Sequence, residues 1–254
     1  IRAPFFVYAG TLLLAAIVAF AFLAKSRLRE LEHTVAHGEE NKLEQLRTAL
    51  RSRAYQAAIA VNLLTGFVLF GLRSSAVPLF VTEGMGQTAT LAGIGFLLAA
   101  GVQAVLLLPA GRRADTRGRR TALLIGTTAL MVGMAVLVAA DLAINLIGAA
   151  AILATVLFLG GMAIQGAAGA FLGSAPAAVV GDIMGGRKGG IVVATFQMMS
   201  DLGAIVGPLA AGLLIDKLDF DWAFAAGSVL ALAAVTLVIR MPETLRRTRN
   251  PEPA

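Results

Sequence analysis

Cysteine is absent from the 254 residues, and charge is scarce: Asp, Glu, Lys and Arg together make up 14% of the chain. The missing cysteines exclude a disulfide scaffold, thiolate metal sites and cysteine nucleophiles. The missing charge excludes an ordinary soluble fold. Such a domain carries about 25% charged residues, and a chain with little more than half of that lacks the polar groups to cover its surface. Histidine is nearly absent too. His33 and His37 stand four apart but make only half a metal site, so no metal and no cofactor is expected. What is abundant is apolar: 58% of residues are hydrophobic and the mean hydropathy is +0.82. That composition also excludes disorder, which needs few apolar residues and much charge. The remaining class is an all-α polytopic membrane bundle, and 28 glycines suit it because small residues let helix backbones approach closely in lipid.

A membrane helix needs about 20 mostly apolar residues. Seven stretches qualify. The first is 4–24, followed by a charged, helix-forming linker over 25–54. The second covers 55–81, interrupted by Arg73 and Pro78, and the third 88–110. The basic loop 111–120 leads to the fourth, 121–140. The fifth, 146–180, is long enough that it should tilt or protrude. The sixth is 191–215 and the seventh 222–239, with a tail over 241–254. The expected domains are thus a helix (1–24), a central loop (25–54), a six-helix bundle (55–240) and a tail.

The net charge of +6 and the pI near 10.5 invite a nucleic-acid reading. The positions of the basic residues remove it. Eighteen of the 21 lie in the linker, the 111–120 loop, the loop at Arg187–Lys188 and the tail together with Arg240; only Arg2 and Lys217 lie on the other side, and Arg73 lies inside a span. This asymmetry places the basic loops and the tail in the cytoplasm of a cell (inner) membrane protein. No nucleic acid is needed to explain the pI.

The loop after the third span reads GRRADTRGRR. Gly111 and Gly118 would permit a tight turn, Asp115 could face the positive N-terminus of a neighbouring helix, and Arg119 or Arg120 could pair with a carboxylate across the loop. Asp182, in GDIMGGRKGG at the end of the fifth span, is the expected partner. That segment does not satisfy the phosphate-loop pattern, so ATP use is unsupported. The sixth span contains QMMSDLGAIVGPLAAGLLID, in which Gly203 and Gly207 give a small face for close packing, Pro208 can kink the helix, and Gly212 completes the pattern.

Asp201 is the sharpest single residue. About ten residues from the start of its span, it lies about 15 Å deep. An acidic group at that depth is a functional hypothesis by default and suits proton binding and release; the alternative is a carboxyl hydrogen-bonded to a neighbouring helix. Arg73 lies about 25 Å from the cytoplasmic edge, where it snorkels outward, forms a cationic wall for an anionic solute, or acts as a partner regulating Asp201. Asn62, Gln103, Gln165 and Gln197 are further polar groups that could line a cavity or bond between helices.

The loop resembles the signature loop of the major facilitator superfamily, roughly G-x-L-x-D-R-x-G-R-R, matched at Gly111, Asp115, Gly118, Arg119 and Arg120, with Arg113 and Thr116 as departures. Gly207, Pro208 and Gly212 resemble the G-P-x-x-x-G pattern of the family's fifth and eleventh helices, and Pro242-Glu243-Thr244 resembles the end of its last helix. The resemblance implies half of a twelve-helix fold plus one helix, with the first five helices lying before Ile1 and the N-terminal half as a partner. It implies that the second and fifth spans line a cavity, the third and sixth flank the other half, and the fourth and seventh face lipid. It also implies secondary transport of a small molecule, with proton-coupled efflux in the manner of drug antiporters as the leading expectation. A proton symporter for uptake and a non-transporting seven-helix protein are the alternatives. Asp115, Arg119 and Asp182 would then form a cytoplasmic latch.

Overall fold

The computed structural model describes residues 10–18, 20, 42–147, 151–185 and 189–245. It divides into two units, 1–42 and 43–254. In the first, residues 10–18 are helical and exposed; the rest of the expected span 4–24, most of the linker with His33 and His37, the Arg187–Lys188 pair and the end of the tail lie outside the described residues. The second unit is all helix. A short α1 (Lys42–Arg51) precedes α2, which runs over Arg53–Gly84 with widened π-helical stretches at Gly66–Leu72 and Phe80–Gly84. There follow α3 (Ala89–Arg117), α4 (Arg119–Ile147), α5 (Ala151–Leu172), α6 (Ala175–Met184), α7 (Gly190–Lys217) and α8 (Phe220–Ile239).

Among the described residues, six helical segments are long and apolar enough to cross a membrane, α5 and α6 counting as one. Lipid offers no hydrogen bonds, so polar groups in these spans must be satisfied within the protein. Hydroxyls do this locally: Thr65, Ser74, Ser75, Thr82 and Thr127 donate to carbonyls one turn back, as in Thr65 Oγ1 to Val61 O at 2.8 Å.

Two expectations need correction. The 111–120 segment is hardly a loop: helix continues to Arg117, and Gly118 alone separates α3 from α4. Gly111 therefore sits inside α3 with open space beside it, and only Gly118, at φ +118°, makes the turn. The long fifth span is two helices rather than one. The chain turns at Gly173–Ser174 and restarts with Pro176 in the first turn of α6, where its missing N–H does no harm.

The helices meet through glycine. α2 and α7 run parallel, and their backbones are in near contact. A Cβ on Gly66 would overlap Ser200 O, one on Gly203 would overlap Leu63 O, and one on Gly207 would lie 2.5 Å from Phe67 O. Along the same seam Tyr55 Oη donates to Val192 O at 2.8 Å and Asn62 Nδ2 to Phe196 O at 2.7 Å. A second close approach joins α5 to α3, where a Cβ on Gly166 would overlap Ala99 O. Gly133 of α4 faces Gly161 and Gln165 of α5. At the end away from the basic segments, Phe80, Phe158, Phe220 and Phe224 pack α2, α5 and α8 together, with Phe80 edge-on to Phe224 at 5.2 Å.

Coverage within the chain is uneven. In the most apolar 18-residue stretch of each, α2 is 61% buried, whereas α3 and α7 are 17% and 22% buried, so these two present their faces outward. α4 packs against α5 on one side and α8 on another, Ser228 Oγ of α8 donating to Met131 O of α4. Pro208 does not break α7, which is helical on both sides of it. Gly212 takes no part in the seam, with nothing within 4 Å of a Cβ there.

The seam makes a direct prediction. Gly203→Val is expected to cost about 1–3 kcal/mol through overpacking against backbone that has no room to move, seen as a lowered midpoint in thermal unfolding in detergent. Gly212→Ala, in open space, should stay within about 0.5 kcal/mol of the parent chain.

Candidate functional site

Four of the six polar residues singled out within the spans come together. Asn62, Arg73, Gln103 and Gln197 line one cavity of about 260 Å³ between α2, α3, α5, α6 and α7, with Thr65, Ser200, Leu69, Phe70, Leu172 and Phe196 completing most of its wall. The α5–α6 turn opens part of this space, since Gly169, Gly173 and Ala177 add no bulk. A Cβ on Gly169 would lie 2.9 Å from the Gln103 amide oxygen, the movable end of that side chain. Arg73 projects from α2 just after the π-helical stretch, and its guanidinium lies 5.8 Å from the centre of the Phe96 ring on α3. A π-helical turn rotates the residues that follow it, and such turns are common at functional sites.

The other two fall elsewhere. Gln165 is fully buried between α4 and α5, outside the cavity lining, with neither amide atom hydrogen-bonded among the described residues. Asp201 is exposed on the outer surface of α7, one turn beyond Gln197, and is not part of the cavity wall. The carboxyl expected to be buried in the bundle thus faces out of this chain, because the buried face of α7 is taken by Ser200, Gly203 and Gly207. No ion pair joins it to Arg73 among the described residues. A larger hollow of about 640 Å³ along α3 is lined by apolar residues and Gly101 and brings no polar side chain to bear.

At the end bearing the basic segments, three elements are tied together. Arg119, at the start of α4, pairs with Asp115 on the last turn of α3 and, through Nε at 3.2 Å, with Asp182 on α6. Of the two candidate arginines it is Arg119 that reaches Asp182; Arg120 Nη2 donates to Ile239 O at 2.5 Å and so holds the end of α8. The first amides of α4 are capped by a residue the sequence reading did not place there. Glu243 accepts from Arg119 N at 2.8 Å and Arg120 N at 3.2 Å, and from its own neighbours Thr244 N and Leu245 N at 3.0 Å each. A carboxylate there meets both the unpaired N–H groups and the positive end of the helix dipole. Thr244 Oγ1 adds a bond to Asp182 Oδ2 at 3.3 Å. The helix end assigned to Asp115 is therefore occupied by Glu243. Gly118 serves both needs, since a side chain would be strained at φ +118° and would collide with the Glu243 carboxylate.

A family model described as Major Facilitator Superfamily matches residues 1–156 and, in a second overlapping match, 71–254. The chain belongs to the major facilitator superfamily. A search of curated proteins finds no match. Membership makes the chain a multi-pass membrane protein of a transporter family, acting on a small molecule and not an enzyme. Within this superfamily chain, the sequence carried a signal for Glu243: Pro242-Glu243-Thr244 stands out as a motif, but nothing in its spacing says that it folds back onto Gly118. Thr65, Ser200 and Phe96 had no signal beyond a hydroxyl or a ring inside an apolar run.

Glu243→Ala should free the first amides of α4. Loss of such a cap costs about 1 kcal/mol, so hydrogen exchange at the Arg119 and Arg120 amides is expected to quicken about fivefold, with Glu243→Gln falling between.

Proposed function

We propose that this chain forms one half of a secondary transporter that moves a small solute by alternating access, in the efflux direction and coupled to proton entry. The observation that carries the reading is the outward polar face of α7. Gln197 and Asp201 lie one turn apart on an exposed helix surface, about 10 and 16 Å from its start at 1.5 Å per residue. A carboxyl at that depth is not tolerated against acyl chains, so this face meets water or another part of the protein. α3 and α7 are also the least covered spans, which fits a second helical half standing against them with the solute path between. Ligand sites at such an interface near the midplane, with one half rocking against the other, are the common plan of transporters built from repeats.

In this mechanism Asp201 takes up and releases the proton, and its protonation state biases the balance between the two access states. The contacts of Arg119, Asp115, Asp182 and Glu243 hold the basic end closed in one state and must loosen in the other. The efflux direction draws mild support from the Gly207-Pro208-x-x-x-Gly212 pattern, whose fifth-helix counterpart marks drug antiporters and whose eleventh-helix form is more widespread in the superfamily.

None of these 254 residues is cysteine, and any cysteine elsewhere in the complete transporter is first replaced by serine. A thiol introduced by Gln197→Cys in the complete transporter should be labelled by a membrane-impermeant maleimide from either face of the membrane, in turn. Labelling from one face only would refute alternating access. Asp201→Asn should abolish solute movement driven by an imposed pH gradient while leaving that two-sided labelling intact; gradients of opposite sign separate antiport from symport.

A further inference from the structure

The cavity is electrically one-sided. Among the described residues, Arg73 is the only charged one in its wall, and no Asp or Glu lines it. Among the described residues the guanidinium has no counter-ion and no hydrogen-bond acceptor, and its Nε is shut off from solvent without a partner. Burying an N–H of a charged guanidinium without an acceptor is costly. The face of Phe96 at 5.8 Å offsets only part of that cost. Snorkelling would relieve it by carrying the charge to the headgroups, but here the side chain lines the cavity instead. Gln103 and Gln197 are also without hydrogen bonds among the described residues, and Asn62 has spent only its Nδ2. The amides bring acceptors as well as donors, but none of them carries the negative charge that would balance Arg73.

The remaining wall says what kind of acceptor fits. Leu69, Phe70, Leu172 and Phe196 are apolar, and about 260 Å³ lies just under the range of about 300–1,000 Å³ usual for drug-sized ligands. One guanidinium balances one negative charge, so a dianionic phosphate would carry uncompensated charge into the membrane. A planar carboxylate matches the two-pronged geometry of arginine. We propose that the solute of this cavity is a compact organic monocarboxylate, its carboxylate seated on Arg73 and its apolar body among Leu69, Phe70, Leu172 and Phe196. This deepens the transporter reading and rests on it. Because Arg73 and Asp201 are separate groups, solute and proton do not compete for one site, and their coupling runs through the two access states.

Three ring compounds of similar shape test the charge preference on the complete transporter: benzoate, benzamide and benzylamine. Each is scored by thermal stabilisation in detergent and by protection of the Gln197→Cys thiol from maleimide. Benzoate should act at concentrations at least about tenfold below the other two, the loss expected when one charge-assisted contact is missing. Arg73→Gln should erase that preference, and Arg73→Lys should keep part of it. Equal or better binding of the amide or the amine, no effect of benzoate, or an undiminished preference in Arg73→Gln would each overturn the proposal. If Arg73→Gln fails to fold, the ranking in the parent chain and in Arg73→Lys decides. Two-sided labelling without an anion preference removes the carboxylate and leaves the transporter; one-sided labelling removes the transporter whichever compound binds.

Discussion

The architecture depends on how closely two parallel helices approach. α2 and α7 touch backbone to backbone because Gly66 and Gly71 on one face Ser200, Gly203 and Gly207 on the other. In lipid there is little hydrophobic force to press helices together, so contact must come from packing and from hydrogen bonds across the seam. The glycines supply the first, and the bonds from Tyr55 and Asn62 to carbonyls of α7 supply the second. Once Gly203 and Gly207 are turned inward, the rest of α7 follows from helix geometry. Gln197 comes to the cavity rim and Asp201 to the outer surface.

The same seam sets the cavity wall. Asn62, Thr65 and Arg73 come from α2, while Phe196, Gln197 and Ser200 come from α7. The break at Gly173–Ser174 supplies the opposite wall, where small residues leave space that a continuous helix with larger side chains would fill. Polar residues that would be expensive singly are thus collected around one space, where they can serve a solute together.

At the basic end the physics is electrostatic. One arginine, Arg119, carries two carboxylates from different helices, and one glutamate, Glu243, caps the helix on which that arginine stands. Side-chain exposures of 15% for Arg119 and 25% for Asp182 leave this pair partly shielded, whereas Asp115 at 66% is in water. The Asp182 contact therefore carries more of the tie than the Asp115 contact, since exposed pairs contribute little. Because it joins α4, α6 and the segment after α8, this knot couples three helix ends that would otherwise meet only through side-chain packing.

The order and number of the spans from residue 53 onward were legible in the sequence, because length and hydropathy are local quantities and lipid enforces them segment by segment. The motif at 111–120 was legible too, as was the pairing of Asp182 with an arginine of that loop. What could not be read was which way each polar residue points. Gln165 and Gln103 look alike in sequence, yet one is sealed between α4 and α5 and the other lines the cavity. Asp201 reads as a buried carboxyl from its depth alone, and only the glycine seam on the far side of α7 turns it outward. Glu243 sits 124 residues from the amide it caps. Composition and periodicity determined a bundle of membrane helices; the tertiary structure alone decided the rotation of each helix about its axis, since that angle is set by the partners it packs against and not by its own residues.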